Sequence, residues 1–211
     1  MQIIDPSFQF TKKPKYFELL NLIEEKGRIC YRSEPDNPQK FVKMLIKSGH
    51  HSVLEHGEIG VTITTDRGVS HELVRHRVGA AYSQESTRFC NYSKSRFGNE
   101  ISVIKPAEVY FGTESYEIWR QAILACEAAY LDMIQHTSAQ NARSVLPNSL
   151  ATRIGVTMNI RSWRHFFELR CSLKAHPGMR YIARKMYYDF AKIWPVFFED
   201  LKPERGKNEE I

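Results

Sequence analysis

"GEIGVTITTDRGVSHELVRHR", residues 57–77, changes its periodicity halfway along, and that change sets the fold class. Ile59, Val61 and Ile63 recur at every second residue among β-branched neighbours, the spacing of a strand with one buried face. Ser70 then offers an N-cap hydroxyl, and "HELVRHR" continues as a helix that sets Glu72 beside Arg75 (i, i+3) and His76 (i, i+4). Upstream, Tyr16, Leu19, Leu20 and Ile23 predict a helix ending near Gly27, and Phe41, Met44 and Leu45 predict another before Gly49. Downstream, "ISVIKP" predicts a strand. Ile118, Ile123, Cys126, Tyr130 and Met133 then predict a long helix from Glu114 to Gln135, and Pro147 closes a short helical piece around Ala142. "RIGVTMNI" predicts a further strand. Helices are expected from Arg161 to Leu173 and from Pro177 to Phe198, the latter broken or kinked at Pro195. The expectation is an α+β chain: one domain over 1–202 with a β-sheet core flanked by several long helices, then a flexible charged tail over 203–211.

Composition narrows the function. The 211 residues, 42% of them hydrophobic, suffice to bury a proper core. A formal net charge of +6 suits an anionic partner, yet an excess this small over 30 basic residues does not specify nucleic acid. Cys30, Cys90, Cys126 and Cys171 form no CxxC pair, which leaves a zinc ribbon or redox motif unsupported. The opening "MQIIDPSFQF" lacks a basic segment followed by a long apolar run, and no stretch approaches a membrane span, so a cytoplasmic protein without membrane attachment is expected.

Four segments carry the chemistry-bearing side chains. In "RHRVGAAYSQESTRF", residues 75–89, Arg75, His76 and Arg77 alone read equally as the solvated basic end of a helix. Ser83, Gln84, Glu85, Ser86, Thr87 and Arg88 shift that balance, because consecutive donors and acceptors suit a phosphate together with a sugar or base edge. A phosphorylated nucleotide has all those parts. "GHHSVLEHGE" groups His50, His51, Ser52, Glu55 and His56 without an HExxH or any other recognised ligand pattern, so a polar cofactor wall or a capping turn is preferred to a metal. In "NARSVLP", Arg143 by itself reads as a surface arginine. On a helix starting at Arg161, the side chains of Arg161, His165 and Glu168 share one face while Trp163, Phe166, Phe167 and Arg170 cluster on another. Arg170 is then either a buried functional cation or a side chain that snorkels to water past the rings.

Taken together, "RHRVGAAYSQESTR", "GHHSVLEHGE", "ARSVLP" and "MNIRSWRHFFELR" resemble the flavin-dependent thymidylate synthases, in family order and over most of the chain. The family signature is Arg-His-Arg, seven residues, then Ser. Here Val78 to Glu85 separate Arg77 from Ser86, one residue more, accommodated within "VGAA". The resemblance implies that family's fold and its reaction: reductive methylation of dUMP to dTMP, with 5,10-methylenetetrahydrofolate as carbon donor and NADPH-reduced FAD as hydride donor. It also implies a homotetramer whose sites are shared between subunits. By matching position, His50, Ser52, Arg75, His76, Arg77, Gln84, Asn159, Arg161 and His165 would bind FAD. Glu72, Arg75, Gln84, Glu85, Ser86, Thr87, Arg88, Arg143 and Arg170 would bind dUMP, with Arg170 catalytic. Gln84 stands where a family glutamate occurs.

The chemistry fits that implication. Uracil C5 becomes nucleophilic when negative charge at N3 and its flanking carbonyls is stabilised, and a sheltered guanidinium does this without a covalent adduct. Ser86 lacks a GxSxG elbow and a placed base, so it reads as a ligand-binding hydroxyl. Cys90 and Cys171, each near an arginine, define a rival class: a thiol-dependent pyrimidine methyltransferase without flavin. A nucleic-acid-binding module is the second rival, but no RNA motif or zinc finger supports it.

Overall fold

The computed structural model describes residues 1–34 and 36–203, so that the expected charged tail, but for Pro203, lies outside the described residues. In chain order the elements are β1 (Gln2–Ile4), β2 (Ser7–Lys12), α1 (Tyr16–Tyr31), α2 (Pro38–Lys47), β3 (Glu58–Asp66), α3 (Arg67–Leu73), β4 (Ala80–Gln84), β5 (Ser102–Ile104), α4 (Glu114–His136), α5 (Ala139–Ala142), β6 (Ala151–Asn159), α6 (Ile160–Arg170), α7 (Pro177–Ile193) and α8 (Pro195–Phe198). Mixed α and β structure is thus confirmed. The larger sheet runs in the order β2-β3-β6-β4, and β1 pairs in parallel with β5.

The backbone gathers into two compact, interleaved units. The first comprises Met1–Ser7, Ile63–Leu73 and Ser83–Ile154. Its core is Tyr92, Ile101, Val103, Ile123, Tyr130, Ala142 and Leu150. The N-terminal ammonium is held at 2.9 Å from both Glu100 and Glu127, which fixes the start of the parallel β1–β5 ladder. The second unit comprises Phe8–Thr62, Val74–Tyr82 and the chain from Gly155 onward. Its core is aromatic: Trp163, Phe166, Phe167, Phe190, Trp194, Phe197 and Phe198 are all buried. Trp163 and Phe167 stack at 5.7 Å, and Phe167 meets Phe190 edge-on at 5.1 Å, contacts worth about 0.5–1.5 kcal/mol each beyond the area they bury.

Several expectations shift by a turn or more. α1 runs past Gly27 to Tyr31 and stops where Arg32 enters the left-handed region at φ 46°. Gly27 lies inside the helix because a Cβ there would come within 2.8 Å of Leu45 and Phe41 on α2. α3 starts earlier than Ser70: Asp66 accepts from Val69 N at 2.7 Å, which makes Asp66 the capping side chain. The helix ends at Leu73, so Arg75, His76 and Arg77 follow it in a turn and loop rather than on the expected helix. Strands β1, β2 and β4 were not anticipated; they are short, of three, six and five residues. The break at Pro195 is where it was expected, with α7 ending at Ile193.

Asn159 closes β6 and caps α6 through its side chain, which accepts from Ser162 N at 2.8 Å. The spacer after Arg77 docks on the same junction: Gly79 O accepts from Asn159 N at 3.1 Å, and Val78 O accepts from Ser162 Oγ at 2.6 Å. Tyr82 closes the loop by donating to His76 O at 2.6 Å. Gly79 sits at φ +61°, and a Cβ there would lie 2.2 Å from Asn159 Nδ2. Gly79→Ala therefore combines left-handed strain with a lost helix cap, and urea unfolding should show a loss of about 2 kcal/mol or more. A variant as stable as wild type would refute this account of the junction.

Candidate active site

The second unit contains a cleft of about 820 Å³ within the size range of small-molecule sites. Arg75, His76, Arg77, Arg161, His165 and Arg170 line it, together with Lys174 and a single carboxylate, Glu168. α6 supplies half of these. Its first turn leaves the sheet at Asn159, Ile160 N donates to Gly57 O at 2.9 Å, and Trp163 Nε1 donates to Ile59 O at 2.9 Å. The helix is thereby fixed against β3, and Arg161, His165 and Arg170 project where the loop of Arg75–Val78 returns.

Arg170 Nε donates to His76 Nε2 at 2.8 Å. The imidazole must be neutral to accept that bond, with its proton on Nδ1. Burial, then the neighbouring Arg170 and His165, hold the His76 pKa down at about 4. Its ring packs edge-on against Phe166 at 5.2 Å, which orients the acceptor nitrogen. Arg170 is half-buried at the cleft wall rather than enclosed among the rings. The arginine of α6 that is enclosed is Arg164, 4% exposed, which forks onto both carboxylate oxygens of Asp200 at 2.6 Å. Sequence spacing did not separate the two, because the Asp200 partner lies far along the chain.

The members of the expected flavin set differ in their partners, and not all of them line the cleft. Arg161 pairs with Glu55 at 2.6 Å on the surface, an exposed pair of small energetic worth. His50 stacks on Tyr31 and shares a 2.6 Å hydrogen bond with its hydroxyl; His51 lines the cleft, and His50, Ser52 and Asn159 are not among its lining residues. Asn159 is instead the cap of α6, and it sets the direction of the residues that do line the cleft.

The first unit holds a second recess, of about 680 Å³, where Thr87 and Arg143 meet Arg67, His71, Gln140 and Asn141. The only charged lining side chains are basic. Arg88 Nε donates to Gln140 Oε1 at 2.9 Å, and Ser86 Oγ accepts from Arg88 N at 3.3 Å. Glu85 accepts from Tyr92 at 3.0 Å. Gln84 donates to Ser70 Oγ at 2.8 Å and to Thr152 Oγ1 at 3.2 Å, while Ser70 gives its own proton to Arg67 O at 2.9 Å. Ser70 can therefore only accept from residue 84. An amide satisfies that geometry and an ionised carboxylate does not, which accounts for Gln rather than Glu at position 84. Glu72 is half-buried near the end of α3. Sequence reading missed Arg67, His71 and Gln140: His71 opens the "HELVRHR" segment, Gln140 precedes "NARSVLP", and Arg67 begins the helix that Asp66 caps.

The thiols do not support the thiol-dependent class. Burial pushes the Cys171 thiol up to about 12, and burial together with Glu85 raises that of Cys90, so both are protonated at neutral pH. Among the described residues no group of His, Cys, Asp or Glu converges as a metal site.

Residues 15–196 match the family described as thymidylate synthase complementing protein. A flavin-dependent thymidylate synthase of Geobacter sulfurreducens is 34% identical over 84% of this chain and 79% of its own. That of Mycobacteroides abscessus is 35% identical over 85% and 78%. The chain belongs to the flavin-dependent thymidylate synthase family. The match runs through both compact units. A crystal structure of a UMP/dUMP methylase, PolB, from Streptomyces cacaoi bound with 5-Br dUMP superimposes with a TM-score of 0.75 over 94% of this chain and 96% of that one, at 19% identity, a likeness of fold.

His76 offers a check on the site. Its depressed pKa means that, as pH falls from 6.5 toward 4, the unfolded chain takes up a proton that the native chain refuses, so stability present above pH 6.5 is lost across that window. After discounting for solvent screening the loss is about 1 kcal/mol between pH 7 and pH 5. Urea titrations at both pH values should show this drop in wild type and its absence in His76→Gln. Equal drops in the two proteins would refute a neutral His76.

Proposed function

We propose that this chain methylates dUMP reductively to dTMP with FAD, NADPH and 5,10-methylenetetrahydrofolate, and that Arg170 is the catalytic residue. The observation that carries the reading is the guanidinium of Arg170 held by a neutral imidazole on the wall of a cation-rich cleft. The cleft residues fit a flavin dinucleotide. Arg75, Arg77 and Arg161 bring cationic donors for a pyrophosphate, His76 and His165 bring flat rings, and the single carboxylate opposes little of that charge. When bound, the flavin supplies hydride chemistry fed by NADPH, which the protein's own side chains cannot perform.

The side chains bind, orient and polarise. Arg170 stabilises negative charge on the N3 edge of uracil and raises electron density at C5; its cation does not titrate, and its Nε is fixed, so little reorganisation is needed. His76 keeps the fork aligned without adding a charge to compete with it. Thr87 and Arg143 bind the nucleotide, with Glu72, Arg75, Gln84, Glu85, Ser86 and Arg88 as further binding residues, while His50, Ser52, Gln84 and Asn159 complete the flavin set. The methylase bound with a brominated dUMP supports a pyrimidine nucleotide as substrate. A homotetramer with sites shared between subunits is part of the proposal, supported by Val78 and Phe89, 84% and 75% exposed on either side of β4. A cytoplasmic setting accords with it; among the described residues no helix is long and apolar enough to cross a membrane.

The purified protein supplied with FAD should show oxidised-flavin absorbance that bleaches on NADPH addition; failure to bind FAD would remove the basis for this reaction. Arg170→Ala should lower dTMP formation by about 10²–10³-fold and weaken dUMP binding, with flavin reduction still observed. Full turnover in that variant would show that the charge at residue 170 is not the activating group.

A further inference from the structure

A buried phenol of the first unit closes the segment that carries Ser86, Thr87 and Arg88. Tyr92 is 5% exposed, and its hydroxyl donates to Glu85 Oε1 at 3.0 Å, so that the two side chains bracket those three residues. Inside the bracket the backbone turns tightly: Ser86 O accepts from Phe89 N at 3.0 Å and from Cys90 N at 2.9 Å. Both ends are anchored within the same unit. Glu85 N donates to Arg153 O at 2.9 Å, and Tyr92 N donates to the hydroxyl of the buried Tyr130 at 3.2 Å. Glu85 itself is not among the residues lining the recess, whereas Thr87, 7% exposed, is one of them. A half-buried carboxylate needs donors in place of water, and Tyr92 and Cys90 supply them. Burial and the Glu85 carboxylate raise the pKa of both donors, so each keeps its proton at neutral pH. Apolar side chains would fill the same space with less desolvation. What the polar closure adds is direction.

We infer that Tyr92 is a positioning residue for nucleotide binding: acting through Glu85, it holds the Ser86–Arg88 segment in the register that brings Thr87 to the recess. The inference rests on the dUMP reading above and deepens it, because it specifies the part of Glu85 as the placing of its neighbours. The network orders a binding segment and contributes no group to the reacting ring, so its effect belongs to affinity rather than to turnover.

Tyr92→Phe tests this with the loss of one oxygen, since the ring that packs on Phe97 and Tyr130 is kept. In the full chain loaded with FAD, the variant should bind dUMP about 5- to 10-fold more weakly by calorimetry and show a KM for dUMP raised to match. The kcat at saturating dUMP and the rate of flavin reduction by NADPH should stay as in wild type. Amide hydrogen exchange at Phe89 and Cys90 should quicken. Glu85→Ala should weaken dUMP binding as well, the double variant Tyr92→Phe, Glu85→Ala should lose no more than the weaker single one, and Glu85→Gln, whose amide oxygen still accepts from the phenol, should recover part of the loss. Wild-type dUMP affinity in Tyr92→Phe would overturn the inference, as would additive losses in the double variant. A fall in kcat or in flavin reduction equal to the loss of affinity would mark a general structural effect and overturn it too. Weakened dUMP binding with unchanged exchange at Phe89 and Cys90 would place the phenol against the nucleotide and do the same. If Tyr92→Phe does not fold, Glu85→Gln against Glu85→Ala takes its place, with equal losses as the overturning result. Wild type that binds no dUMP would instead sink the functional reading itself, so the two failures are distinguishable.

Discussion

The site depends on one junction, where the last residue of a strand is also the cap of the next helix. Asn159 gives its side-chain oxygen to Ser162 N and its backbone N–H to Gly79 O, so a single residue fixes both the direction of α6 and the position of the Arg-His-Arg loop. Buried apolar packing below it, Ile160 and Trp163 against the β3 backbone, makes that position rigid. Without this constraint Arg170 and His76, 94 residues apart in sequence, would have no reason to meet at hydrogen-bond distance. The spacer after Arg77 docks at the same place. The loop carbonyls of Gly79 and Val78 accept from Asn159 N and Ser162 Oγ at the helix start, and only glycine allows the backbone to come so near the capping amide.

The polar network divides into a cationic part and a neutral part. In the cleft, guanidinium groups are set beside imidazoles, one of which burial keeps uncharged, so the positive field is concentrated at a few fixed positions. In the first unit the chain of bonds from Gln84 to Ser70 to Arg67 O has one polarity throughout, and each member has a single way to satisfy it. That network explains why an amide stands at position 84, which spacing alone could not interpret. It also shows why a substitution between two residues of the same shape is not conservative when the neighbour's only proton is already committed.

Much of the fold was legible in sequence, and what was missed has physical causes. The strands at Glu58–Asp66 and Ala151–Asn159 were visible because their β-branched residues alternate, and Pro195 announced the break after α7. Three short strands were not visible, since a strand of three to six residues gains its stability from its neighbours rather than from its own pattern. The α3 boundary went to Asp66 rather than Ser70 because a carboxylate at the strand end reaches the same backbone N–H one turn sooner. For the site, motif order located Arg75, His76, Arg77, Arg161 and Arg170 around one cleft, whereas Arg67, isolated in sequence from any motif, was found only through its surroundings.

The interleaving of the two units has a consequence for synthesis. Residues 151–154 complete the first unit and 155–159 continue the second, so neither can be finished until β6 has emerged from the ribosome. β1 meanwhile waits for a partner about a hundred residues downstream, and such distant pairing carries a large loop-closure entropy before any contact repays it. During translation β3 and β4 thus keep open edges until β6, which pairs with both, has been made.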